Sequence, residues 1–423
     1  DDRETVAQIT ENMYMQYFLG YSAFCKEPPF DPSLFVEIRK RMGDELIAEI
    51  NDRILELDRK NNDSSSKKTK KDDDQNVPPS HQGELLMDAT VAPQNIAYPT
   101  DLNLLNESRE ITETIIDYLH NPGSEKPRTY RRNARRAYLL VAQNRNPSRK
   151  TIRKAIGKQI RYLRRNFKHV NTLLDQHDNI PLPTKLLKQY WVIQLLYTQQ
   201  LDMYENKTHS VKDRIVSIHQ PHVRPIVRGK ARSKVEFGAK IHVSLINGYA
   251  FLDTISWDAY NEGTQLKEYV ENYKNRFGYY PAKVLADKLY WTRENRKWLK
   301  EKEIKLAAKP LGRPSKKAVA DHIRPGERNP IEGKFGQAKT GYGLNNIKAR
   351  LKDTSQSWIA SIIMVLNLVK LAGQASYCLL STAFSAWCKL EHLLKQAFMQ
   401  VINKLDLKTA SRSSFSRYSL RSF

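Results

Sequence analysis

The chain has 423 residues, with 70 Lys and Arg against 46 Asp and Glu, a formal net charge of +24 and a pI near 9.7. A field of that sign favours polyanions, and the cations run through folded-looking segments instead of lining one side of a strongly apolar helix, so nucleic acid is expected over a membrane face. Cys25, Cys378 and Cys388 show no C-x-x-C spacing, which argues against a disulfide framework or a cysteine zinc site and predicts reduced thiols in a cytoplasmic protein.

At this length two or three domains are expected. No signal peptide is visible, and a chain that begins at Asp1 is expected to lack its natural start. Residues 4–18 and 33–57 carry helical periodicity, through Val6, Ile9 and Met13, then Phe35, Ile38, Met42, Leu46, Ile50 and Ile54. Asp31 or Ser33, in the Pro-rich loop between them, can cap the second helix. Residues 1–57 are thus expected to form a small all-α N-terminal domain, serving either DNA binding or dimerisation and packing. Composition changes at Asp58, where Asn, Ser, Lys and Asp runs lead to Pro78-Pro79, so residues 58–82 read as a disordered linker.

A larger domain is expected over residues 83–372. It opens with a buried strand from Gly83 to Ala92, whose run Leu85–Val91 is apolar except for Asp88 and Thr90. A carboxylate in such a run either faces water at a strand end or is paired, for instance with a metal. Residues 102–206 read as helical throughout, an insertion between strands. Its middle is dense in cations, among them Arg131, Arg132, Arg135, Arg161, Arg164 and Arg165, with Tyr130, Tyr138, Tyr162 and Phe167 interleaved. That pattern suits a surface that tracks phosphates; a plain solvated face is the other interpretation.

The period then changes. Arg214–Ile218, Glu236–Leu245 and Ala250–Trp257 read as three strands, the last two joined by an Asn247-Gly248 hairpin turn. A helix is expected over 263–277, then a short strand at Lys283–Ala286 ending in Asp287, a helix capped by Thr292, and a strand at Lys305–Ala308. Gly312–Lys317 reads as an exposed basic loop. The apolar run Trp358–Leu371, broken by Ser361, Asn367 and Lys370, reads as a buried helix instead of a membrane span. Residues 373–423 are expected to hold a C-terminal helix and a basic Ser/Arg tail.

Glu332 stands between Arg328, four residues earlier, and Lys339, seven residues later; on a helix Arg328 and Glu332 share a face. Taken alone, this is a surface ion pair of small energetic worth. Asp88 and Asp287, each in a buried-looking strand, change its meaning. Strand, hairpin, strand, helix, strand and helix in that order, with acids at strand ends and on a late helix, describe an α/β domain of the ribonuclease H-like type. There three carboxylates meet at one sheet edge and hold two Mg2+ ions about 3.5–4 Å apart for in-line displacement at phosphorus. All-oxygen ligands select Mg2+, or Mn2+, over zinc. His219 and His222 have H-x-x-H spacing but no third ligand near. Asp101, Asp253 and Asp258 are rival acids, better suited to turns or to supporting other side chains. No P-loop is present, so no nucleotide cofactor is expected.

Taken in order, Gln8–Tyr14, Gln16–Gly20, Pro28–Leu34, Asp88-Ala89-Thr90, Tyr98–Asp101, Gln220–Lys230, Val235–Lys240, Ala286-Asp287-Lys288, Thr292–Arg296, Pro310–Pro314 and Arg328–Lys339 resemble the bacterial insertion-sequence transposases of the DDE class with an InsH-type N-terminal domain. The resemblance implies strand cleavage at the ends of a mobile element and strand transfer into target DNA. It also implies catalytic, metal-binding Asp88, Asp287 and Glu332, phosphate contacts from Arg328 and Lys339, and a nucleoid-associated protein for which end synapsis is compatible with a homodimer. Related transposases place a tyrosine three residues before the arginine; here Pro325 stands there. The alternative is a catalytically inactive, transposase-derived DNA-binding protein.

Overall fold

A six-stranded mixed sheet organises this α/β protein. The computed structural model describes residues 2–66, 81–123, 125–177, 179–227, 235–308 and 326–374. Residues 1–366 form one unit and residues 367–423 another; of the latter, residues 367–374 are described and are helical.

The sheet is built on β1 (Glu84–Pro93) and β3 (Val235–Ile246), paired antiparallel from Leu86↔Leu245 to Pro93↔Gly238. Gly238 is required at that end, because a Cβ there would stand 2.1 Å from the Ala92 carbonyl oxygen. The other edge of β3 is shared by β2 (Arg224–Val227) and β4 (Tyr249–Ser256). The β3–β4 turn is Asn247-Gly248, both with positive φ (52° and 79°), the backbone that a tight hairpin matched to strand twist demands. On the far side of β1, β5 (Lys283–Leu285) and then β6 (Lys305–Ala307) add in parallel.

Residues directly opposite in an antiparallel pair share a face. Val243, opposite Asp88, lies with Ile241 and Leu245 under α10 (Asn329–Gly341) and α11 (Lys352–Gln374), in a core that includes Ile331, Ala338, Ile359, Ile362 and Ile363. Each such aliphatic side chain, fully buried, contributes roughly 1.5–3 kcal/mol. The other face is covered by α8 (Leu266–Phe277), through Leu266, Tyr269, Val270 and Tyr273. Four helices, α4 (Asp101–Leu119), α5 (Arg131–Ala142), α6 (Arg149–Leu174) and α7 (Thr184–Glu205), intervene between β1 and β2 with a core of their own around Leu105, Leu163, Ile193 and Leu196.

At the N-terminus, α1 (Asp2–Glu11), α2 (Met13–Phe18) and α3 (Leu34–Ser66) are held to the sheet domain. Arg39 lies over the Trp358 ring at 4.8 Å and its carbonyl accepts from Ser357 Oγ, while Asp52 pairs with Arg276 at 3.2 Å.

Two elements differ from expectation, and a third, a buried helix as expected, is longer than its apolar run. The helix α3 runs to Ser66, past the linker boundary expected at residue 58, with a break at Gly43 (φ 54°, ψ 169°); once a helix is nucleated, each added residue costs little. The strand expected at Arg214–Ile218 is not formed. Ile215 and Ile218 instead plug the insertion's core, and the Ile215 N–H is satisfied by Gln199 Oε1 at 2.9 Å. Lastly, α11 at 23 residues is long and apolar enough to cross a membrane by length and composition, yet Ile359, Ile362, Ile363 and Leu366 are buried on the sheet.

Candidate functional site

Register brings two aspartates together. The β1–β5 ladder pairs Leu86 with Leu285, and two residues on from that pair lie Asp88, within β1, and Asp287, just past the end of β5. Beyond the end of β5, Asp287 turns its carboxylate to cap a 3₁₀ turn, Lys288–Tyr290, with Oδ1 accepting the Lys288 N–H at 2.7 Å. Asp88 Oδ1 accepts the N–H of Ala89 at 2.9 Å.

Arg328, at the N-cap position of α10, reaches across to both. One terminal nitrogen of its guanidinium is 2.9 Å from Asp88 Oδ2 and the other 3.5 Å from Asp287 Oδ1. The side chains of Arg328 and Asp88 are 18% and 21% exposed, that of Asp287 40%. Burial raises the Asp88 pKa above the ordinary carboxylate value, opposed by Arg328 and the Ala89 N–H and reinforced by Glu262 and Asp287.

Glu332 occupies the first turn of α10 and is exposed. Arg328 and Glu332 share that turn as expected, but among the described residues no hydrogen bond or ion pair joins Glu332 to either aspartate. Lys339 lies in the last turn, half-buried. As to a metal, the donor chemistry of Asp88 and Asp287 fits a hard cation: two carboxylates from adjacent strands converge on one positive charge. No group of three or more His, Cys, Asp or Glu side chains that could hold a metal ion occurs among the described residues, and the fit is drawn from the aspartate pair.

Behind the aspartates, on the α8 face, lies a polar network that the sequence pattern did not disclose. The β3–β4 register slips between His242 and Val243, leaving Asp253 as the extra, unpaired residue of a bulge. A bulge re-aims side chains, and Asp253 Oδ2 is 2.9 Å from His242 Nδ1 and accepts from Ser244 Oγ at 2.6 Å. With Nδ1–H donated to the carboxylate, His242 Nε2 accepts the Tyr290 hydroxyl at 3.0 Å. His242 and Asp253 are 0% and 1% exposed, and His242 stacks on Tyr269 at 3.5 Å. Burial pushes the Tyr269 phenol up to about 12 and Tyr290 well above its ordinary value, so both keep their O–H donors. Tyr290 belongs to the turn that Asp287 caps, and Asn295 Nδ2 holds that turn by donating to the Tyr290 and Gly263 carbonyls at 3.1 and 2.7 Å. Glu262, buried and 2.6 Å from Lys240 Nζ, completes the surroundings. Asp253 had only its sequence neighbours to speak for it; Glu262 reads as an ordinary first-turn acid.

In the insertion, Arg132, Arg135, Arg161 and Arg164 are exposed, Arg164 donating to the Tyr197 hydroxyl at 2.9 Å. Arg131 is instead bound in bidentate fashion to Asp117, at 2.8 Å twice, which with Lys126 pulls the Asp117 pKa down to about 2. Arg165 packs on Tyr130 and Tyr162 and donates to the Thr129 carbonyl. The helix α6 contains no acid, and its exposed side carries Lys150, Lys154, Lys158, Arg161, Arg164 and Lys168, a row of about 27 Å at the helical rise.

The two histidines do not share a site: His219 faces Glu107 at 3.0 Å, and His222 packs edge-on against Trp257 at 4.4 Å. Asp101 pairs with Arg214 at 2.7 Å, and exposed Asp258 lies 3.8 Å from Arg224. Gly229, Lys230, Pro310–Pro314, the Gly312–Lys317 loop, Pro325, Cys378, Cys388 and the Ser/Arg tail lie outside the described residues.

Residues 284–369 match the protein family described as "Transposase DDE domain". That span holds Asp287, Arg328, Glu332 and Lys339; Asp88 lies before it. Over 136 residues, 32% of the chain, the protein is 28% identical to "Uncharacterized protein ORF8 in nfe locus" of Rhizobium meliloti, and it spans 58% of that relative's length. The family match thus makes residues 284–369 similar to a transposase DDE domain.

Proposed function

We propose that this protein is a DDE transposase that cuts DNA strands at the ends of a mobile element and joins them to target DNA. In this reading Asp88, Asp287 and Glu332 are its acidic residues. The observation that carries the reading is the convergence of Asp88, in β1, and Asp287, just past the parallel strand β5, onto one cationic side chain at the N-cap of α10. The strand order β4-β3-β1-β5-β6, antiparallel on one side of β1 and parallel on the other, supports a ribonuclease H-like domain.

Mg2+ or Mn2+, when bound, would polarise the scissile phosphate and lower the pKa of an attacking hydroxyl. Asp88 and Asp287 are the residues that would hold it. The network behind them fixes the turn that carries Asp287. Glu332, one helical turn from Arg328, is the third acid of the site, and Arg328 and Lys339 offer charge to DNA phosphate. The N-terminal helices and the cationic side of α6 hold the flanking duplex; pairing of two ends fits a homodimer.

Asp88→Asn, Asp287→Asn and Glu332→Gln should each abolish Mg2+-dependent cleavage and joining of cognate ends while leaving duplex binding within a few-fold of wild type. Full activity in any one variant would remove that residue from the site. The exposed position of Glu332, with no hydrogen bond or ion pair to either aspartate among the described residues, favours one second reading: a transposase-derived DNA-binding protein without catalysis. Tight binding to cognate ends with no cleavage in Mg2+ or Mn2+ would select it.

A further inference from the structure

The place between Asp88 and Asp287 is taken by a side chain of this chain. Arg328 does not grip one carboxylate with its fork, the arrangement arginine favours. It gives one terminal nitrogen to each aspartate, at 2.9 and 3.5 Å, and so bridges them as a shared cation would. The bridge leaves a donor unused: Arg328 Nε is buried and has no hydrogen-bond partner among the described residues. An unsatisfied buried N–H is costly. A phosphate group, with several oxygens in range, can accept from Nε and a terminal nitrogen together, which neither aspartate does here.

We propose that Arg328 is a displaceable counter-ion that closes the aspartate pair to divalent cations until DNA phosphate draws it away. The proposal rests on the reading of Asp88 and Asp287 as a metal site and adds its regulation. Without DNA, a divalent cation must compete with a guanidinium already in place and, once bound, stand beside its charge. With DNA, the guanidinium has a better anion, and the two carboxylates are released to oxygen-seeking cations. Because linkage is reciprocal, the cation must tighten DNA binding by the same factor by which DNA tightens the cation. DNA is thereby both substrate and the signal that admits the metal, which keeps the site inactive away from DNA.

The test is Mn2+ binding to the full chain, read from the free-ion electron paramagnetic resonance signal, with and without a short linear duplex. Asp88→Asn supplies the background of unrelated sites. In the absence of DNA, Arg328→Gln should tighten the Asp88-dependent Mn2+ site by roughly tenfold, the scale of a typical coupling. Arg328→Lys, which keeps the charge, should stay near wild type; this separates loss of the counter-ion from damage to the fold. The duplex should tighten Mn2+ binding in wild type and much less in Arg328→Gln. Unchanged or weaker Mn2+ binding in a folded Arg328→Gln overturns the gate while leaving the metal site standing. Absence of any Asp88-dependent Mn2+ site in all variants, with and without duplex, overturns the site and the gate together.

Discussion

Tyr290 is the residue on which two parts of the site depend. Its hydroxyl ends the Asp253–His242 chain, and its backbone N–H donates to the Asp287 carbonyl at 3.1 Å. Replacing it with Phe leaves His242 Nε2 buried with no donor, at a cost of about 1–3 kcal/mol. Urea unfolding of Tyr290→Phe should show that loss as a lower midpoint with an unchanged slope. A variant as stable as wild type would mean that the hydroxyl adds nothing to the strut. Legibility at this scale divides sharply. Asp88 was visible because it interrupts an apolar run. The partnership of Asp253 with His242 was not, because a one-residue bulge changes which side of the sheet a side chain takes, and alternation cannot register that. The same limit hid the ion pair of Arg131 with Asp117, made across a turn.

Among the elements, α6 puts its apolar residues and its cations on opposite sides, Ile160, Leu163 and Val170 inward and Lys154, Lys158 and Arg161 outward. The outward residues are far from the packed core, so Lys154→Ala, Lys158→Ala and Arg161→Ala combined should change stability little, each within about 0.5 kcal/mol. Duplex binding should weaken, and the dependence of log K on log salt should flatten by about 0.9 for each cation that had been seated on phosphate. An unchanged slope would make this row a solvated face. The β3–β4 hairpin was readable in advance because alternation and an Asn-Gly turn agree. Arg214–Ile218 misled because a short apolar run suits equally a strand or a plug for a helical core, and only the insertion's packing decides between them.

For the molecule as a whole, acid response is set partly by His222. Burial, with Lys352 and Arg224 nearby, pulls its pKa from the ordinary 6.5 down to about 4, against a smaller pull from Asp353. The folded ring therefore stays neutral to about pH 4, whereas the unfolded chain takes up the proton from about 6.5. The unfolded state binds more protons throughout that window, so this share of stability is complete above the upper limit and is lost as pH falls toward the lower one. His222→Phe, which keeps an aromatic against Trp257, should flatten the fall of Tm across the same range; an equally steep fall would assign it to other groups.

The insertion of α4–α7 between β1 and β2 has a consequence for how the chain is made. β1 leaves the ribosome long before its partner, since Asp88 pairs with Val243. At common synthesis speeds the delay is on the order of ten seconds. During that time Leu85–Val91 is an unpaired β-forming segment, the kind that seeds aggregation unless a charge interrupts it. Asp88 is that charge. The nascent strand thus carries its own gatekeeper in the acid assigned above to the metal, and the four-helix insertion, rich in local contacts, can fold while β1 waits.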